Sequence, residues 1–295
     1  MENFLEIVTK PDNVAIVVMM VMVVFFTWLA FHQALERDRK ERRKAEGVSA
    51  REEDKIHVWP YLARKEFLIA LVVLIFLMGW SILLDAPLEE HASPTLTPNP
   101  AKAPWYFLGL QEMLVYFDPW IAGVVLPGLI ILGLMAIPYL DINPKGNGGY
   151  TFSERKYAIL IFCFGFLVLW ILLIVIGVFM RGPGWLWFWP WQAWDPHRVA
   201  GGTNVDLTQL VGINARSLPG FTIGGGLVLL YFGLGMALPY RHLKTKSPTF
   251  LEELGGIRYL ILTFLFWMMM GLPIKILLRL TLHIKYIWVT PWFNI

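Results

Sequence analysis

The chain has 295 residues and a formal net charge of +3, with 57% hydrophobic and only 16% charged residues, against about 25% charged in an average soluble domain. A soluble protein of this length has no interior large enough for that much apolar surface, so the composition excludes a water-soluble domain and points to a multi-spanning membrane body. The single cysteine, Cys163, excludes an internal disulfide, a Cys-ligated iron–sulfur cluster and a CxxCH haem attachment. Inside an apolar run it reads as a small buried hydrophobe.

A bilayer core of about 30 Å takes roughly 20 apolar residues of helix. Six runs qualify: 14–31, 67–84, 121–140, 157–180, 221–239 and 257–274. Helix follows because an open strand would leave backbone groups unpaired in lipid. The first run is longer than a signal-peptide core and no small-residue cleavage site follows, so it reads as a retained helix. Residues 36–55 mix acids and bases densely, from Glu36, Arg37, Asp38, Arg39 and Lys40 onward. They extend the first span as a solvated helix laced by i,i+4 pairs; a nucleic-acid patch would be more purely basic.

Beyond the abrupt polar exit at Asp85, the segment 85–120 carries Pro87, Pro94, Pro98, Pro100 and Pro104. Its first part is therefore extended and stiff, and 105–117 then reads as a short, largely apolar helix at the interface. The segment 181–220 holds Trp185, Trp187, Trp189, Trp191 and Trp194, an indole density suited to the headgroup belt. Gly224, Gly225 and Gly226 lie inside the fifth span and read as a helix-packing surface rather than a phosphate cradle.

Lys and Arg in the short loops set the orientation. The loops after the first, third and fifth spans carry most of them, from Arg37 to Lys65, then Lys145, Arg155 and Lys156, then Arg241, Lys244 and Lys246. Those loops share one side if there are six spans, so both termini are expected outside, which is periplasmic in a bacterium. Of the six histidines, only His32 touches a span, at its end. Bis-histidine haem b needs imidazoles deep in facing helices, so this chain is expected to ligate no haem, and no metal site is expected. No HExxH, P-loop or GxSxG is present.

Ala103, Pro104, Trp105, Tyr106 and Phe107 follow Asn99-Pro100 and an Asp-Ala-Pro exit at Asp85. This stretch resembles the loop between the first two helices of the C-terminal half of cytochrome b, equivalently subunit IV of cytochrome b6f-type complexes. There a Pro-Glu-Trp-Tyr motif lines the outer quinol-oxidation site. Trp59, Pro60 and Tyr61 with Lys65 and Glu66 resemble the entrance to the same helix at the other membrane face, where the family's Lys and acid contact quinone. The two matches flank one expected helix in the order the family requires.

The resemblance implies an all-α polytopic membrane protein with a cytochrome b C-terminal-like three-helix core plus extra N- and C-terminal helices. Three regions are expected: 1–57, the first span and its charged extension; 58–180, the subunit IV-like core; and 181–295, the Trp-rich outer loop and two further spans. It also implies a membrane subunit of a quinol:cytochrome c (or equivalent acceptor) oxidoreductase that uses menaquinol or ubiquinol. Its electrons would pass to an iron–sulfur protein and a low-potential haem b on other subunits. The implied partners are a haem-bearing cytochrome b6-like subunit, a Rieske-type iron–sulfur protein and a c-type cytochrome, within the lipid bilayer and without nucleic acid. Pro104, Trp105, Tyr106, Phe107 and Gln111 would line the outer pocket, and Lys65 and Glu66 the inner one.

The sequence departs from the family at the motif's proton-accepting Glu, where Pro104 stands. Glu112 is the substitute on this chain, seven residues after Trp105 and so on the same helical face, about 10 Å along. A carboxyl on an otherwise apolar helix could exchange protons near neutrality, which makes Glu112 and Tyr106 the candidate catalytic pair. Asp118, Glu89, Glu90 and His91 are fallback relay members. The rival reading is a non-redox membrane scaffold or transporter subunit. A transporter should show ionisable groups in mid-span, and here Lys275 and Arg279 sit near a helix end.

Overall fold

The computed structural model describes residues 2–47, 57–85, 91, 102–144, 150–195 and 204–295. Nine helices occur among them: α1 Glu2–Thr9, α2 Pro11–Ala45, α3 Val58–Leu83, α4 Trp105–Met113, α5 Ile121–Leu140, α6 Phe152–Met180, α7 Leu218–Lys246, α8 Pro248–Leu254 and α9 Gly256–Leu282. Six of these, α2, α3, α5, α6, α7 and α9, are long and apolar enough to cross a membrane. The chain is a polytopic helical membrane protein. Each expected span lies inside one of these helices except 67–84, which passes the end of α3 by one residue. Most helices overshoot the expected span, because the backbone continues to close i→i−4 bonds into the polar flanks, as α7 does to Lys246. Residues 48–55 of the charged extension, Glu89, Glu90 and most of the proline-rich stretch lie outside the described residues.

Contacts gather the chain into two compact units, residues 2–97 with 148–156 and residues 98–147 with 157–295. In this grouping α3 falls with α2. In the first unit, Asn13 Nδ2 donates to the Ile7 carbonyl at 3.0 Å, which fixes the joint between α1 and α2. The last turn of α2 carries Arg42, Arg43 and Lys44, cations that suit the negative end of the helix dipole. The pairs Lys40–Glu36 and Lys44–Glu41 lace its exposed end.

Asp38 is buried on the same helix and accepts from Ser153 N at 3.0 Å and Ser153 Oγ at 2.9 Å. The start of α6 is thereby capped by a carboxylate from α2, the favoured chemistry for an unpaired helical N–H. Phe31 and Phe152 pack beside this cap, 5.8 Å between centroids. By contrast, α3 has no buried residue. A helix that apolar and that bare needs lipid or another chain around it.

In the second unit α9 touches α5, α6 and α7. Three side chains stitch α7 to α9 through backbone carbonyls. Trp267 Nε1 donates to Gly235 O at 2.6 Å, Tyr231 OH to Trp267 O at 2.7 Å, and Tyr259 OH to Met236 O at 2.5 Å. Gly235 admits the indole: a Cβ there would stand 2.8 Å from it. Met113, Tyr116, Phe117, Ile121, Ala122, Leu169, Leu173 and Leu272 form the core at the α4 end of this unit.

After α9 the chain turns at His283, φ +54°, and runs back as a short hairpin closed by Ile295 N to Trp288 O at 2.9 Å. Lys275, two turns inside α9 rather than at its end, is buried and donates to Lys285 O at 2.7 Å. The glycines of α7 also serve this hairpin. A Cβ on Gly224 would meet Ile287 O at 2.7 Å and one on Gly225 the Trp288 indole at 3.2 Å, while Gly226 faces open space. The expected packing surface therefore exists at two of the three positions, and it receives the C-terminal segment instead of a helix.

Candidate functional site

Pro104 stands immediately before α4, with φ −49° and ψ 147°, a position where a residue without an N–H costs the helix nothing. Its carbonyl accepts from Phe107 N and Leu108 N at 2.8 and 3.1 Å, opening the helix. Gln111 Oε1 reaches back to Ala103 N at 2.8 Å. Lys102 Nζ donates to Val178 O at 2.7 Å, tying the same loop to α6. The helix ends at Met113, earlier than the expected 117, and its exit tightens into i→i+3 bonds from Val115 to Glu112 and Tyr116 to Met113.

One face of α4 is clamped onto α6. A Cβ on Gly109 would stand 3.2 Å from the Trp170 indole, and Gly177 offers the same close seat to Leu108. Glu112 completes the clamp. It is 0% exposed, and Arg181 grips it with two bonds, Nε to Oε2 at 2.9 Å and Nη2 to Oε1 at 2.5 Å. Tyr116, one turn on, donates its phenol to Glu112 Oε1 at 2.9 Å. Arg181 spends a further N–H on Trp185 O at 3.2 Å and lies 5.5 Å from the Trp187 ring centroid. Burial first, then the adjacent Glu112 carboxylate, pushes the Tyr116 phenol well above its ordinary range, so it stays a donor.

The sequence pictured Glu112 as an isolated carboxyl on an apolar helix. The structure pairs it, because the end of α6 brings a guanidinium to the same spot. The opposite face of α4 is open: Tyr106 and Phe107 are 51% and 52% exposed, with rings tilted together at 4.7 Å. Asp118 accepts from Trp120 N and Asn294 Nδ2, both at 3.0 Å, and so organises the turn between α4 and α5. His91 is exposed. In the other unit Lys65 and Glu66 are exposed about two turns into α3. The tryptophan run stacks outward: Trp189 and Trp191 lie 5.3 Å apart at 4°, with Trp187 edge-on to Trp189. Among the described residues there is no group of three or more His, Cys, Asp or Glu able to hold a metal ion.

Arg181, Tyr116, Trp170 and Gly177 are the residues that sequence reading missed. The signals were weak, a charged residue at the end of a span for Arg181, a small residue in an apolar helix for Gly177 and ordinary aromatics for Tyr116 and Trp170, and none names a partner.

A polytopic helical protein with a short helix mounted across the end of one span, presenting an aromatic pair, is the class that fold and site define. Residues 91–186, which hold α4, α5 and all of α6, match the family described as cytochrome b(C-terminal)/b6/petD. The resemblance carried by Trp105 and Tyr106 is thereby established for this segment. The stretch at residues 59–66 lies outside the match. Two curated relatives bear the name menaquinol:cytochrome c reductase cytochrome c subunit. The one from Geobacillus thermodenitrificans is 35% identical over 92 residues, 30% of this chain and 37% of that protein. The one from Bacillus subtilis (strain 168) is 34% identical over 90 residues, 28% of this chain and 34% of that protein. The chain therefore spans little more than a third of the length of these relatives. No solved structure matches.

Proposed function

We propose that this chain is a membrane subunit of a quinol:cytochrome c (or equivalent acceptor) oxidoreductase and that α4 supplies one wall of its outer quinol-oxidation pocket. The observation that carries this reading is the mounting of α4. Its Gly109, Leu108 and Glu112 side is locked onto α6, which holds the half-exposed Tyr106 and Phe107 as a fixed aromatic face. A quinone ring fits such a face, with an apolar surface to stack on and a phenol to hydrogen-bond. That face is open among the described residues, and the opposite wall is proposed to come from outside this chain. A cytochrome b6-like subunit carrying haem b is the proposed source, with α3 as a bare surface for it or for lipid. A Rieske-type iron–sulfur protein and a c-type cytochrome complete the proposed electron path for bifurcated quinol oxidation, with menaquinol the quinol suggested by the relatives' names. The α4 end is proposed to face the periplasm, as are both termini, and Lys65 and Glu66 are proposed for the inner quinone pocket.

Glu112 takes a different part in this proposal from the base pictured in the sequence. Accepting a proton from quinol would take from the enclosed Arg181 the carboxylate that holds it by two bonds. Glu112 is assigned as the positioning residue that fixes α4, and Tyr106 as the group that touches the quinol ring. The discriminating experiment is to purify the complex through a tag on this chain and record a reduced-minus-oxidised spectrum. A haem b band that quinol reduces is the expected outcome; an assembly that carries no haem returns the chain to the scaffold reading.

A further inference from the structure

A cavity of about 1020 Å³ opens between the start of α7 and the C-terminal hairpin, at the upper end of the size range of small-ligand sites. Asp206, Arg216, Lys285, Leu218, Phe221 and Trp292 are among its lining residues. Arg216 precedes Ser217, the N-cap of α7, whose hydroxyl accepts from Gly220 N at 3.2 Å. The positive end of a 29-residue helix therefore adds to the two cations. Among the described residues neither Arg216 nor Lys285 forms an ion pair; Lys285 Nζ lies 5.1 Å from the Tyr286 ring centroid. Beneath the wall the enclosed Lys275 donates to the Lys285 carbonyl. Asp206 is the acid that lines the cavity, so the excess charge is positive.

The level of the cavity identifies what fits it. Its walls are the first turn of one membrane-spanning helix and the chain just past the end of another, which is where hydrocarbon gives way to headgroups. Its lip is apolar and bare, with Leu218 77% and Trp292 81% exposed. A free inorganic anion would answer the charge and leave that lip uncovered. We propose that the cavity holds the phosphate headgroup of an anionic phospholipid, with the phosphate between Arg216 and Lys285 and the acyl chains along Leu218, Phe221 and Trp292. This site is independent of the quinol-oxidising reading and stands or falls apart from it.

The test uses the full chain, delipidated in detergent and titrated with phosphatidylglycerol, phosphatidylcholine or inorganic phosphate, with lipid retention read by native mass spectrometry. At about 1 kcal/mol per interfacial cation, two cations give roughly a 30-fold preference for phosphatidylglycerol over phosphatidylcholine. The R216Q/K285Q double variant is expected to lose that preference, and each single variant to lose about fivefold. Both side chains are exposed, and an unchanged thermal midpoint without lipid confirms that the variants fold. Equal retention of the two lipids by the natural chain overturns the proposal, as does a preference that survives in the double variant. Inorganic phosphate that displaces phosphatidylglycerol at millimolar concentration assigns the cavity to the free anion and overturns it too.

Discussion

Replacing Arg181 with methionine is expected to destabilise the α4 end of the protein by about 3–5 kcal/mol, because it strands the fully enclosed Glu112 carboxylate. Glu112→Gln is expected to act in the same direction by leaving the guanidinium, only 7% exposed, without its acceptor. The double variant E112Q/R181M should lie nearer the natural protein than the sum of the two singles, because a buried pair removed together leaves no uncompensated charge. Thermal unfolding of the three variants in detergent measures this coupling. Quinol-dependent haem reduction by the same samples separates the two roles of Glu112. If it acts by positioning α4, the activity falls in both singles and recovers in the double. A fall confined to Glu112 variants, with stability unchanged, would instead make it the proton acceptor.

The second large effect is expected at Gly224. A Cβ there would stand 2.7 Å from Ile287 O and 3.0 Å from Trp288 Cα, both backbone atoms that cannot rotate away. Gly224→Val should therefore lift the C-terminal hairpin off α7 and cost about 1–3 kcal/mol or more. The carbonyl that holds Lys275 belongs to the chain leading into that hairpin, so the buried ammonium would lose its acceptor as well. Two residues on, Gly226 meets nothing within 4 Å, and Gly226→Ala should be neutral or stabilising by up to about 1 kcal/mol through helix propensity. Limited proteolysis reads the difference directly. The hairpin should be clipped early in G224V and stay protected in G226A, and equal protection in both would refute the packing assignment.

Six membrane helices were legible because a run of bilayer length is a one-dimensional signal that needs no knowledge of neighbours. Helix ends were less so: the charged continuation of α2 to Ala45 was expected, but α9 runs on to Leu282, eight residues past its expected end, since polar residues continue a helix as readily as apolar ones. The segment around Trp105 and Tyr106 was recognisable as a motif, and Pro104 was visible as its departure. The pair that holds this segment was invisible. Glu112 and Arg181 lie 69 residues apart, and nothing in either local sequence records which turn of α6 meets which turn of α4. The glycines at 224 and 225 announced a close approach, yet the occupant, Trp288, sits in a short aromatic tail that carries no periodicity.

Photoaffinity labelling of the intact, active complex with an arylazido-quinone tests the central claim most directly. Covalent label is expected on residues 103–113 of this chain, competed away by excess quinol. Label confined to other segments or other subunits, in a complex that still oxidises quinol, would contradict it.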